Sequence, residues 1–147
     1  MKKPLLLGHR GFSGVYPENT PLAFKKVAET GEIKSRHMEN EVFVSSFNHV
    51  SMQRFKEIAP EIETGLLYES PLQDMGHYLD HCNANNAHPC WHVFEYQPEL
   101  MELFHSRGMK VNVWTVNDEA AARFMLGLGV DGLIGNYPDL LCRVAGR

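Results

Sequence analysis

Short apolar runs alternate along this chain with segments whose apolar residues recur at helical spacing, and few folds accommodate that alternation. Six runs read as buried strands: 4–8, 41–47, 64–68, 88–94, 110–116 and 130–135. Each is followed by a helical segment. The first starts at Pro21 after Asn19 or Thr20 as cap, with Ala23, Phe24, Val27 and Ala28 as its stripe. Ser51 opens the second, with Met52, Phe55, Ile58 and Ala59 inward, and Pro60 stops it. Ser70-Pro71-Leu72-Gln73 combines a capping box with proline at the first helical position, and Leu72, Met75 and Leu79 line the third. Pro98 starts the fourth, with Leu100, Met101 and Phe104 inward and Gly108 at its close. Asn117 caps the fifth, which ends at Gly129, and Pro138 opens the last. Strands separated by helices pair in parallel. The 147 residues make one α/β domain, 1–147, of about six βα units. A closed eight-stranded barrel needs about 250 residues, so this chain is too short for one.

The formal net charge is −4, which argues against a nucleic-acid surface, since those carry a basic excess. An anionic small molecule remains open, because one arginine suffices to grip a phosphate. The three cysteines, Cys82, Cys90 and Cys142, form no Cys-x-x-Cys pair. They read as reduced thiols of a cytoplasmic protein. The opening Met1-Lys2-Lys3-Pro4-Leu5-Leu6-Leu7 stops three leucines into its apolar run, short of a signal core, and no stretch is long enough for a membrane span.

The chemistry concentrates at Gly8-His9-Arg10-Gly11, followed by Pro17-Glu18-Asn19-Thr20. His9 and Arg10 leave the end of the first strand, the position where βα barrels build active sites. Imidazole works as base or nucleophile near neutral pH. Guanidinium binds phosphate oxygens through two donors and keeps its proton. Glu18 is placed to orient either group. By spacing alone, an ordinary surface loop explains the same residues.

These blocks resemble the opening signature of the glycerophosphodiester phosphodiesterase family. Later blocks follow in the family's order: Val44-Ser45-Ser46-Phe47-Asn48, Gly65-Leu66-Leu67, Val113-Trp114-Thr115-Val116-Asn117, and 129–134 followed by Asn136-Tyr137-Pro138-Asp139. The resemblance implies an incomplete TIM-like (βα) barrel of phosphodiesterase type. It implies hydrolysis of glycerophosphodiesters to an alcohol and glycerol 3-phosphate, a step of lipid metabolism, with a divalent cation, Ca²⁺ or Mg²⁺. It makes His9 a catalytic histidine and Arg10 the phosphate-holding catalytic partner; beside it, Glu18 reads as a substrate-side residue, and Trp114 as a core or barrel-mouth aromatic with a substrate-facing role as the alternative.

The chain departs from the family's pattern after the first helix. The strand bearing Glu-x-Asp and the His-Asp element are missing, and Glu32-Ile33-Lys34 resembles the Glu-x-Lys element that follows them. The resemblance makes Glu32 the remaining metal ligand and Lys34 a phosphate contact. Residues 31–41 are polar and aperiodic, and read either as a surface loop or as the scar of a deletion, a join across absent sequence. Gly135 stands where the family usually has threonine. Losing carboxylate ligands and a general acid weakens catalysis, the acid alone by about 10²–10⁴-fold. A non-catalytic, phosphate-binding or oligomerising fragment is therefore the rival reading, because open barrel edges invite pairing with a second copy. A zinc site from His77, His81, Cys82, Cys90 and His92 is the weaker candidate: no His-Glu-x-x-His is present, and solvated helix-face histidines explain the spacing.

Overall fold

The computed structural model describes Leu22 and residues 43–146. The first expected strand, the His9/Arg10 loop, its helix, and residues 31–41 therefore lie outside the described residues, Leu22 excepted. The described chain divides into two compact units.

The first unit holds β1 (Phe43–Ser46), α1 (His49–Ile58) and most of β2 (Glu63–Tyr68). The two strands pair in parallel, Phe43 opposite Glu63 and Ser46 opposite Leu66. Along β1 the burial alternates, with Val44 and Ser46 inward, whereas β2 is buried almost throughout. Such a run is typical of parallel strands covered on both faces. Asn48, not Ser51, caps α1: its side chain accepts the Ser51 N–H at 3.0 Å. The helix therefore begins two residues earlier than the sequence suggests, with Ser51 buried inside it. Met52 and Phe55 fill the core, while Ile58, expected inward, is 42% exposed at the helix end.

Lys56 is the unusual member of this core. Burial pushes its ammonium pKa down, partly offset by Glu63 and Glu61. Its Nζ donates to the Ile62 carbonyl and to Asn85 Oδ1, both at 2.8 Å. Asn85 Oδ1 also accepts the Thr64 N–H at 2.9 Å, so one amide oxygen joins the helix to β2. A buried cation with two acceptors avoids the full desolvation cost of an unpaired one.

The second unit holds β3 (Asn86–Pro89), α3 (Val93–Tyr96), α4 (Leu100–Ser106), β4 (Lys110–Val113), α5 (Glu119–Gly127), β5 (Gly132–Leu133) and α6 (Pro138–Val144). The helix α2 (Met75–His81) begins in it and ends in the first unit. β3, β4 and β5 run parallel, Ala87 opposite Val111 and Asn112 opposite Gly132. Ala87, Val111, Val113, Phe94, Phe104, Ala122 and Met125 have no exposed surface. As expected, Leu100, Met101 and Phe104 turn inward.

Other boundaries differ from expectation too, β4 ending at Val113 rather than at 116 and β5 covering only Gly132–Leu133 of the expected 130–135. The third helix starts at Met75 rather than Pro71. Asp74, in the left-handed region at φ 55°, precedes it and pairs with His77, while Leu72 is 40% exposed outside the helix. The strand expected over 88–94 ends at Pro89, because Cys90 starts a tight turn: its carbonyl accepts the Val93 N–H at 3.0 Å. Val93 and Phe94 are buried from a helix instead. Asp118, not Asn117, caps α5, accepting the Ala121 N–H at 2.9 Å. Among the described residues no helix is long and apolar enough to cross a membrane.

Candidate active site

Side chains along a strand alternate between its faces, so residues two apart share a face. In Lys110-Val111-Asn112-Val113-Trp114 the valines occupy one face, and Asn112 and Trp114 the other. The register carries this polar face across three strands. His88 stands beside Asn112, and Asn112 opposite Gly132. One step toward the strands' C-terminal ends, Cys90 bridges to Trp114.

The row is built by hydrogen bonds. Asn112 Nδ2 donates to His88 Nε2 at 3.0 Å, which puts the neutral ring's proton on Nδ1. His88 is fully buried. Gly132 makes room for this contact: a Cβ there would lie 2.2 Å from Asn112 Oδ1. Above the row, Trp114 Nε1 donates to the His88 carbonyl at 2.7 Å, fixing the indole at the strand end. The Trp114 main chain is held as well, its N–H by the Pro89 carbonyl and its carbonyl by the Trp91 N–H. On the other side, Ile134 N–H bonds the Val113 carbonyl and Val116 N–H bonds the Ile134 carbonyl. Asn117, relieved of capping, accepts the Asn136 N–H at 2.9 Å and ties the loop after β4 to the loop after β5.

Trp114 thus sits, half-buried and directed, at the C-terminal end of a central strand. The other site residues named from the sequence, His9, Arg10, Glu18, Glu32 and Lys34, lie outside the described residues. The sequence reading missed His88 and Asn112. The alternation of Asn112 with two valines was the available signal, but His88 fell in a run whose strand boundary was misplaced.

Gly135 is spatially constrained. A Cβ at this position would lie 2.0 Å from the Val116 carbonyl oxygen and 3.1 Å from Leu141 Cδ1. The close backbone approach explains why a glycine stands here.

The zinc arrangement does not form. Among the described residues no three His, Cys, Asp or Glu side chains gather closely enough to hold a metal ion. His77 pairs with Asp74, and His92 with Glu95 at 2.7 Å. Cys82 is buried, which pushes its thiol pKa up, against a hydrogen bond from Tyr78 that lowers it. For the divalent cation the described residues likewise supply no ligand cluster, and the ligand expected, Glu32, lies outside them.

Comparison with known proteins places this architecture. Residues 32–140 match the model of the Glycerophosphoryl diester phosphodiesterase family. A glycerophosphodiester phosphodiesterase of Caldanaerobacter subterraneus subsp. tengcongensis is 37% identical over 109 residues, covering 74% of this chain and 44% of that protein. The chain thus spans under half the length of that curated relative. A crystal structure of a glycerophosphodiester phosphodiesterase from Parabacteroides distasonis superposes with a TM-score of 0.71 at 22% identity, over 87% of this chain and 54% of that one. An Oleispira antarctica phosphodiesterase, solved in complex with the product sn-glycerol-3-phosphate, gives a TM-score of 0.66 at 16% identity, over 98% of this chain and 97% of that one. The fold is that of an incomplete phosphodiesterase barrel, and the chain belongs to the glycerophosphoryl diester phosphodiesterase family.

Proposed function

We propose that the chain hydrolyses glycerophosphodiesters to an alcohol and glycerol 3-phosphate, at the C-terminal ends of its parallel strands. The observation that carries this reading is Trp114, held by its indole N–H and both main-chain groups at the end of β4, on the polar face. Family membership supports the reaction class. The complex of the Oleispira antarctica phosphodiesterase with sn-glycerol-3-phosphate supports the product.

In this reading Trp114 forms an apolar wall against the glycerol moiety. Arg10 grips the phosphate oxygens through two donors, with Lys34 as a second cationic contact. His9 moves the proton, or attacks phosphorus, and Glu18 orients it. A divalent cation, Ca²⁺ or Mg²⁺, offsets charge on the phosphoryl oxygens when bound, with Glu32 as its ligand. In this reading the reaction runs in the cytoplasm, where thiols such as those of Cys82, Cys90 and Cys142 stay reduced.

Glycerophosphocholine hydrolysis by the purified chain, with Ca²⁺ or Mg²⁺ added after chelation, tests the proposal. Turnover is expected to fall about 10²-fold or more in His9→Ala. Equal rates for the two proteins would reject it, and a rate indifferent to chelation would remove the cation. A second reading, a non-catalytic phosphate-binding fragment, is favoured by the missing Glu-x-Asp and His-Asp elements. Saturable binding of glycerol 3-phosphate, abolished in Arg10→Ala and without turnover, would select it.

A further inference from the structure

An open hollow of about 410 Å³ lies on the surface of the second unit, lined by Trp91, Glu95, Asp118, Ala120, Ala121 and Phe124. It falls within the range of about 300–1,000 Å³ usual for small-molecule pockets. Two elements build it. The turn after β3 delivers Trp91 and Glu95, held by successive i to i+3 hydrogen bonds from Val93 to Cys90, Phe94 to Trp91 and Glu95 to His92. The start of α5 delivers the rest. Ala120 and Phe124 are i and i+4 neighbours on one helix face. The two alanines leave space beside the Phe124 ring, which is 40% exposed.

The lining combines two aromatic faces with two carboxylates and contains no cationic side chain. Asp118 Oδ1 is engaged by the Ala121 N–H and Glu95 Oε2 by His92 Nδ1 at 2.7 Å, so both carboxylates are fixed in place. Trp91 is fixed too, its N–H on the Trp114 carbonyl at 2.8 Å and its ring against His92 with centroids 3.8 Å apart. Such a field favours a cation, and the nature of the walls decides which kind. A hard metal ion requires several oxygen ligands, and no such cluster exists among the described residues. A weakly hydrated organic cation gains from an aromatic face and from nearby carboxylates without demanding full coordination.

We propose that this pocket binds a small alkylammonium cation between Trp91 and Phe124, balanced by Glu95 and Asp118. Occupancy is read without turnover, so the proposal stands or falls independently of the proposed hydrolysis.

The chain has two tryptophans, so its ¹H–¹⁵N spectrum offers two indole N–H signals as reporters. Trp91 lines the hollow, and Trp114 donates its indole proton to the His88 carbonyl. Titration with choline is expected to shift the Trp91 signal saturably while the Trp114 signal moves little. The neutral isostere 3,3-dimethylbutan-1-ol is expected to bind about tenfold more weakly. The double variant Glu95→Gln, Asp118→Asn is expected to lose choline binding to a similar degree; asparagine preserves the helix cap. Absence of a saturable shift with choline, or an equal response to the isostere, would overturn the proposal. Should the double variant fold poorly, the comparison of choline with its isostere on the unaltered chain decides alone.

Discussion

Tyr68 closes β2, is 5% exposed, and its hydroxyl has no hydrogen-bond partner among the described residues. Burial alone raises its pKa well above the ordinary 10.0. A phenol that stays protonated in the fold, but ionises at 10.0 when unfolded, favours the folded state below pH 10.0. That contribution is lost as pH rises above it, because the unfolded chain then releases the proton first. Tyr68→Phe removes an unsatisfied buried hydroxyl and is expected to raise stability by about 1 kcal/mol at neutral pH. It should also flatten the fall in denaturation midpoint above pH 10.0; an unchanged alkaline profile would contradict this account. Gly135 poses the opposite problem, of space. Installing the threonine usual in the family sets a Cβ against the Val116 carbonyl and Leu141. Gly135→Thr is expected to cost about 1–3 kcal/mol in urea denaturation. A threonine variant as stable as the parent would show that the loop after β5 yields easily.

At the scale of elements, caps and turns set the boundaries. The α5 cap is one residue beyond the expected Asn117, since Asn117 spends its carbonyl on the Asn136 N–H. Asp118 takes over, holding the Ala121 N–H. Asp118→Ala is expected to lower stability by about 1 kcal/mol, whereas Asp118→Asn retains most of it. Thermal melts of the two variants side by side check this, and equal melting points would reject capping as the reason. Asn117→Ala is expected to leave the α5 cap intact and to loosen the loop after β5. Faster exchange of the Asn136 amide proton would report it, and unchanged protection would contradict it. Strand periodicity was legible from the sequence for β1, β2 and β4, because β-branched runs and alternation are local properties. The ends of β3 and the start of α2 were not. A turn at Cys90 and a left-handed residue at Asp74 leave little trace in apolar spacing.

For the whole molecule, an open barrel edge would present unpaired strand groups, and such edges template pairing with a second copy. Light scattering at micromolar concentration is expected to give a mass about twice 16.7 kDa; a clean monomer would count against edge pairing. The order of strands and helices, the family's blocks and the presence of Trp114 in the 110–116 run could be read from residue order, because periodicity is encoded locally. Only the tertiary structure decided that His88, Asn112 and Gly132 form one row, that Gly135 lies against the Val116 carbonyl, and that Trp91 meets Asp118 and Phe124 around an open hollow. Those relations join residues twenty or more positions apart, or backbone atoms that one-letter spacing does not register. They arise when parallel strands settle into register and bring distant loops to a common edge.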